Sequence, residues 1–398
     1  MATSQVDLAR LLQPIAIDRF FAHYWEREPL LLHRADPTYY QELLSLADIE
    51  AFIARGDARY PAIRLAKGGT YYAPERYTHD VRYGDEYFRG VPDLEKIHTE
   101  YSCGATITLP AWHRACPALG RLCWQMETQL DHAVSANVYL TPPRAAGFTA
   151  HYDTHEVFVL QIAGHKQWQV YPPPLTLPHR SQTFDFEHYA PPATALLQCE
   201  LATGDLLYLP RGYVHSTATS ERPSAHVSIG VTVYTWVELV SELIQSTIGE
   251  GDFRGGLPPG FARRPELRAA LTQRFGSLLQ QLCQTLDIDA LCQRFIERTL
   301  TARARPPLPF QADASGIGPD ARLCITAHGE YSLAQEQDGL VLDLGGRRVR
   351  LQPSVAPALQ AMCRMKTFTA QTLPADISLE ARLSLVRYLH GLGFLQTI

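Results

Sequence analysis

The spacing of apolar and polar positions divides the chain into a helical start, a strand-rich centre and a helical end. Asp18 followed by Phe20, Phe21, Tyr24 and Trp25 reads as a capped amphipathic helix, because the aromatics recur at intervals that line one helix face. Glu28-Pro29 ends it, and Leu30-Leu31-Leu32 begins an extended apolar segment. Leu46 to Ala54 predicts a second short helix and Ala118 to Asp131 a longer one. Between them Tyr60 to Asp93, rich in Gly, Tyr, Arg and Pro, predicts a loop-rich approach to a site, its aromatics serving packing.

After Asp131 the period changes to that of strands. Asn137–Thr141, Phe148–Asp153, Val157–Ile162, Gln167–Tyr171, Leu206–Leu209 and Ala225–Tyr234 are the predicted strands. Ala163-Gly164-His165-Lys166 reads as the Gly-containing turn of a hairpin. Short strands at this spacing predict a small β-barrel. Helical spacing returns in Trp236–Ile248, Pro265–Leu286 and Ile288–Leu300, with a Gly/Pro loop over 249–260, and Arg303–Pro309 reads as a linker. Leu340–Leu344, Gly345-Gly346 and Arg347–Leu351 predict a second hairpin, flanked by helices near Val355–Met365 and Leu379–Leu392. That mix resembles a winged helix. The fold class is α+β, with expected domains 1–235, 236–305 and 306–398.

Composition changes the picture mainly by exclusion. The chain has 398 residues, 46% of them apolar and 19% charged, enough for two or three domains with a sizeable core. Asp7, Arg10, Asp18 and Arg19 interrupt the first segment, so no secretory signal is expected. No apolar run approaches the ~18 residues of a membrane span. The eight cysteines form no Cys-x-x-Cys pair, which fits free thiols in a reducing cytoplasm. A net charge of −5 gives no electrostatic footprint for nucleic acid. From Pro306 onward eight Lys/Arg stand against eight Asp/Glu, so even the winged-helix-like part lacks the positive excess that a phosphate-binding surface needs. A protein-contact or structural role is expected there.

The chemistry concentrates in His151-Tyr152-Asp153 and in His215, which closes Tyr208-Leu209-Pro210-Arg211-Gly212-Tyr213-Val214-His215. Residues i and i+2 of an extended strand project to one side, so His151 and Asp153 can share an ion. Gly204-Asp205, the apolar run Leu206–Leu209 and Pro210-Arg211-Gly212 read as turn, strand and turn, delivering His215 as third ligand. Two imidazoles and one carboxylate are the donor set of a non-haem Fe(II) centre, which leaves positions open for a co-substrate and O₂. The alternative is a barrel holding a satisfied polar cluster without iron.

Phe20-Phe21 through Leu32, Arg64 to Gly69, Asn137-Val138-Tyr139, His151-Tyr152-Asp153, Lys166-Gln167-Trp168 and Pro210-Arg211-Gly212 to His215 together resemble the JmjC-type, cupin-like ribosomal oxygenases. The resemblance is close over about residues 10–235 and looser beyond. It implies a double-stranded β-helix (jelly-roll, cupin-like) JmjC barrel that uses Fe(II), 2-oxoglutarate and O₂ to hydroxylate a side chain of a ribosomal protein, Arg or His. It implies His151, Asp153 and His215 as iron ligands, Lys166 as the cation for the far carboxylate of 2-oxoglutarate, and Asn137 and Tyr139 as further co-substrate contacts. Ser228 is a weaker candidate for the same role. Without the resemblance Lys166 reads as a solvated turn lysine. His155 shares the parity of His151 and Asp153; it is either a neighbour of the site or an exposed histidine at the barrel mouth. Glu156 and His226 have no assigned role. The resemblance also implies dimerisation through the 236–305 helices, hence a homodimer. Two other classes stay open: an oxygenase acting on a peptide natural product, a small molecule or methyl-lysine, and a non-catalytic cupin-like binding protein.

Overall fold

The computed structural model describes residues 6–397 apart from 57, 186–188, 303–316, 326–330, 337–338, 345–346 and 393. The expected linker at 303–309 and the Gly345-Gly346 turn lie outside the described residues. The chain divides into two units between Val233 and Tyr234. In the first, α1 (Leu8–Leu12), α2 (Ile17–His23), β1 (Leu30–Leu32) and α3 (Leu46–Ala54) lead into β2 (Arg64–Lys67), β3 (Thr70–Tyr71), β4 (Thr78–Tyr83) and β5 (Glu86–Pro92). There follow α4 (Leu94–Ser102), β6 (Thr106–Leu109), α5 (Pro117–Leu130), β7 (Ala133–Thr141), β8 (Glu156–Tyr171), β9 (Leu197–Ala202), β10 (Leu206–Leu209), β11 (Val214–Ala218) and β12 (Ser224–Thr232).

The main sheet runs β1-β10-β8-β12-β7-β6-β2-β3, with antiparallel neighbours throughout. Strand β8 organises it. Its first half lies between β10 and β12, and its second half between β9 and β11. The hairpin expected around Gly164 is therefore one continuous strand with a bend. Gly164 has φ +66°, and a Cβ there would stand 2.0 Å from the Pro223 carbonyl oxygen. The glycine thus lets the strand turn against its neighbour at a corner, which explains why it looks like a turn residue in sequence. Lys166 consequently sits within a strand, not on a solvated turn.

Three further expectations need correction. Phe148–Asp153 is not a strand; after Pro142-Pro143 and Arg144, whose φ is 53°, the chain leaves β7 and only His151 forms a β-bridge, to His215. The loop-rich stretch 60–93 is mostly two hairpins, β2–β3 and β4–β5. The cap of α2 is Ala16, without a side-chain hydrogen bond, and Asp18 lies in the first helical turn, where its charge complements the helix N-terminus.

Alternation along the strands creates two cores. Phe158, Leu160, Leu206, Tyr208, Val227 and Ile229 face one side of the sheet and pack with Phe20, Ile49, Leu122 and Met126 from the helices. Val157, Val159, Trp168, Val170, Leu201, Leu207 and Leu209 form a second cluster on the other side. At ~25 cal/mol per Å² of apolar area, each such side chain contributes ~1.5–3 kcal/mol, so register is strongly fixed.

The second unit contains α6 (Trp236–Ser246), the one-turn α7 (Gly251–Arg254) inside the expected Gly/Pro loop, α8 (Glu266–Thr285) and α9 (Ile288–Ala302). Strands β13 (Leu323–Ile325), β14 (Tyr331–Glu336), β15 (Gly339–Leu344) and β16 (Arg347–Leu351) follow, then α10 (Ala356–Arg364), α11 (Leu379–Gly391) and β17 (Leu395–Thr397). Strands β14-β15-β16 form a meander and β13 pairs with β17. Leu323, Leu342, Leu359, Met362, Val386 and Leu389 are fully buried in their core. Among the described residues no helix is long and apolar enough to cross a membrane.

Candidate metal centre

The three predicted ligands converge. One donor atom each from His151, Asp153 and His215 lies within 4.8 Å of the others, and His215 Nε2 stands 3.7 Å from Asp153 Oδ2. Local backbone bonds bring them together. His151 and His215 exchange both N–H···O bonds, at 3.1 and 2.8 Å, and the Gly212 N–H donates to the Asp153 carbonyl at 3.0 Å. Gly212, at φ +93°, is required by this tight turn, since a Cβ would stand 2.5 Å from the Leu175 carbonyl oxygen.

Hydrogen bonding also sets which imidazole nitrogen is available. His151 Nδ1 lies 2.7 Å from the Thr149 carbonyl oxygen and His215 Nδ1 3.1 Å from that of Tyr213. A carbonyl only accepts, so both Nδ1 atoms carry the proton and both Nε2 lone pairs are left for a metal. Burial, reinforced by His151, pushes the His215 imidazole down to about 4, so it is neutral at pH 7. Burial alone would raise the Asp153 carboxyl, but the imidazoles of His155, His215 and His151 hold it below the ordinary carboxylate value. Two imidazoles whose Nδ1 atoms face backbone carbonyls and a carboxylate, with one donor atom from each within 4.8 Å of the others, fit a divalent metal of the Fe(II) type.

The same sheet also buries an unusual cation. Lys166 is 3% exposed, and its ammonium donates to Thr141 Oγ1 at 3.1 Å. Thr106 Oγ1 donates in turn to Thr141 Oγ1 at 3.2 Å. Burial pulls the Lys166 ammonium down to about 7. A buried ammonium with one neutral partner is costly unless an anion joins it, so the residues fit an acidic co-substrate as well as the metal.

The other candidates occupy the same side. Asn137 and Tyr139 alternate along β7, and Ser228 and His226 stand opposite them on β12. Asn137 Oδ1 accepts from the Ala111 N–H at 2.9 Å, and its side chain also bonds Tyr139. Tyr139 stacks on His226, with ring centroids 4.9 Å apart. Burial raises the Tyr139 hydroxyl well above its ordinary value, so it remains a neutral donor. His155 is excluded from the triad among the described residues and packs instead against Gly230, where a Cβ would stand 2.6 Å from its ring.

Sequence reasoning missed Thr141, which holds Lys166, and the aromatic lip of Tyr71 and Phe148. Phe148 has its ring centroid 5.5 Å from that of Tyr71, 6.1 Å from Tyr139 and 5.9 Å from His151. Thr141 lay in plain view at the end of the predicted strand before Pro142. Tyr71 and Phe148 bound the stretches Tyr71–Tyr87 and Arg144–Phe148, which read as loops that set substrate choice, but the sequence gives those stretches no shape and so neither ring a place.

A cupin-like antiparallel sheet enclosing a His-x-Asp···His donor set defines the class: the chain carries a JmjC domain, its residues 113–239 matching the model of that domain. Its homologues are ribosomal oxygenases. Ribosomal oxygenase 1 of Gallus gallus is 27% identical over 97% of this chain and 71% of its own length. The bifunctional lysine-specific demethylase and histidyl-hydroxylase NO66 of Aedes aegypti is 32% identical over 63% of this chain and 39% of its own length. Matched regions thus span 39% to 71% of these relatives. The fold matches that of YcfD, a ribosomal oxygenase from Escherichia coli solved with cobalt and 2-oxoglutarate, at a TM-score of 0.52 and 17% identity, over 96% of this chain and 98% of that one.

Proposed function

We propose that this protein is an Fe(II)- and 2-oxoglutarate-dependent oxygenase that hydroxylates an amino-acid side chain, histidine before arginine, of a ribosomal protein. The observation that carries the reading is the pairing of a three-donor metal site with the buried Lys166 ammonium, since a metal alone needs no second cation beside it. The names of the relatives supply the substrate class.

When bound, Fe(II) would activate O₂, the oxidant, and decarboxylation of 2-oxoglutarate to succinate and CO₂ would supply two of the four electrons that O₂ takes up, the target C–H bond supplying the other two. This chain's own residues do the rest. His151 and His215 present Nε2, and Asp153 its carboxylate, on one side of the metal; the Thr149 and Tyr213 carbonyls keep both rings from rotating. Lys166 and Thr141 hold the far carboxylate of the co-substrate, and Asn137, Tyr139 and Ser228 line the wall between. Phe148 and Tyr71 offer aromatic faces on which a planar target side chain stacks. A cleft of about 520 Å³ has Phe148, Thr149, Trp168 and Thr217 in its lining but none of the three metal-ligand candidates; it adjoins the site through Phe148, whose ring centroid lies 5.9 Å from that of His151, and is proposed as the approach for the peptide.

Sheet connectivity supports the finer description of the first unit as a double-stranded β-helix over 1–235. The 236–305 helices are proposed to dimerise, because α6 presents Trp236, Val240, Ile244 and the adjoining Ile248 to solvent. Residues 306–398 are read as a winged-helix-like domain that contacts protein. Eight free cysteines fit a cytoplasmic setting.

Incubation with Fe(II), 2-oxoglutarate and purified ribosomal proteins is expected to add one oxygen to a single histidine, read by mass spectrometry with stoichiometric succinate. A second reading, removal of methyl groups from lysine, is favoured by the two activities named for the mosquito relative. Formaldehyde release from a methyl-lysine peptide, without oxygen gain on ribosomal protein, would replace the first reading by the second.

A further inference from the structure

His226 has no part in the ligand set, yet it is 4% exposed and its Nδ1 is buried without a hydrogen-bond partner among the described residues. A buried polar atom of this kind calls for a partner. Its surroundings say which. The imidazole stacks on Tyr139, with ring planes 6° apart, and meets the Trp168 ring edge-on at 5.8 Å. The Trp168 indole N–H is likewise buried without a partner among the described residues. Both stand in the wall that carries Lys166, two residues before Trp168 on β8, and cross-strand pairing sets His226 against Tyr139 and Gln161. Lys166 itself has only the neutral Thr141 hydroxyl as its hydrogen-bond partner among the described residues.

From these juxtaposed, unsatisfied groups we infer that His226 is a second recognition group for the far carboxylate of the dicarboxylate co-substrate, donating Nδ1–H beside the Lys166 ammonium. The inference rests on the 2-oxoglutarate reading and adds a residue to it. Burial, reinforced by Lys166 and then His215, keeps the His226 imidazole neutral. Neutrality is what the geometry requires: a second cation beside Lys166 would repel it, whereas a neutral N–H can share one carboxylate with it.

The test uses the full chain loaded with Mn(II) as an O₂-inert probe. 2-Oxoglutarate affinity is measured by calorimetry and Mn(II) affinity by the free-ion electron paramagnetic resonance signal. His226→Phe keeps the ring stack and removes the donor; it should weaken 2-oxoglutarate roughly 10- to 100-fold, the worth of a hydrogen bond to a charged group, while Mn(II) affinity is unchanged. Binding of 2-oxobutyrate, which lacks the far carboxylate, should not respond to the variant, and His226→Gln, which restores an N–H donor, should recover part of the loss. Wild-type affinity for 2-oxoglutarate in His226→Phe, with Lys166→Ala impaired, would overturn the role of His226 alone. A wild-type protein that binds Mn(II) but no 2-oxoglutarate would overturn the co-substrate reading beneath it. If His226→Phe unfolds, His226→Leu, which has no donor, and His226→Gln, which has one, are compared by the same ratio of 2-oxoglutarate to 2-oxobutyrate affinity, and a wild-type ratio in His226→Leu counts against the inference.

Discussion

Replacing Lys166 by Met should make the ligand-free protein more stable and the co-substrate site useless. Folding moves this ammonium from the ordinary lysine value of 10.5 to about 7. Because the folded value lies below the unfolded one, folding penalises the charged form. The penalty is fully present below pH 7, shrinks as pH rises between the two values and vanishes above 10.5. Below pH 7 it is on the order of 5 kcal/mol, and at pH 9 about 2 kcal/mol. Methionine fills a similar volume without charge, so Lys166→Met should gain several kcal/mol at pH 6 and less at pH 9. Chemical denaturation of both proteins at the two pH values reads the difference, and titration of the shared triad cancels between them. With Mn(II) present, 2-oxoglutarate should protect wild type and hardly protect the variant, whose affinity is expected to fall ~100-fold or more once the buried carboxylate has lost its counter-charge. A variant no more stable than wild type at pH 6, or one that 2-oxoglutarate protects equally, would refute the view of Lys166 as a cation held in reserve for an anion.

Other expectations follow from single contacts. His151→Ala or Asp153→Ala should lose Mn(II) affinity at least ~10-fold and all succinate formation, with unchanged far-ultraviolet dichroism; full turnover in either would sink the metal centre. Gly164→Ala forces a Cβ against the Pro223 carbonyl oxygen at a left-handed φ, and should cost ~2–4 kcal/mol by denaturation. Glu156, buried and accepting from the Tyr208 hydroxyl and the Arg211 N–H, is pushed up to about 7 by burial; Glu156→Ala should cost ~1–3 kcal/mol by orphaning those donors, and Glu156→Gln should cost less. Under the proposed dimerisation wild type should sediment as a dimer and a Trp236→Glu, Ile244→Glu double variant as a monomer, because both residues are exposed, at 82% and 58%, on α6.

How much of this was legible depended on whether local spacing carried the information. Leu46–Ala54 is α3 to the residue, because Ser45 and Asp48 form a capping box that writes its start into the sequence. Leu206–Leu209 is β10 to the residue, since a buried strand flanked by Gly204 and Pro210 leaves little choice. His151, Asp153 and His215 were recognisable by residue type, but the stated reason for the first two was wrong. No strand projects them together; backbone bonds from His215 and Gly212 do. The 60–93 hairpins were hidden because their burial does not alternate, and Gly164 misled because positive φ serves a bend in one strand as well as a turn between two.

The correction at Gly164 bears on function more than on topology. A true hairpin would have placed Lys166 at the rim, where water solvates an ammonium and an arriving carboxylate gains little by meeting it. Because β8 continues through the bend, residues 166, 168 and 170 turn inward in step, setting a cation on the face that carries Trp168 and Val170, opposite Leu201 and within electrostatic reach of His226. That placement destabilises the ligand-free fold, and it is the same low-polarity setting that makes one carboxylate worth several kcal/mol when it binds. The bend and the cation therefore form one device. Gly164→Ala should impair 2-oxoglutarate binding beyond its effect on stability, through displacement of Lys166, whereas a Cβ at Gly84, which meets nothing within 4 Å, should leave that binding unchanged.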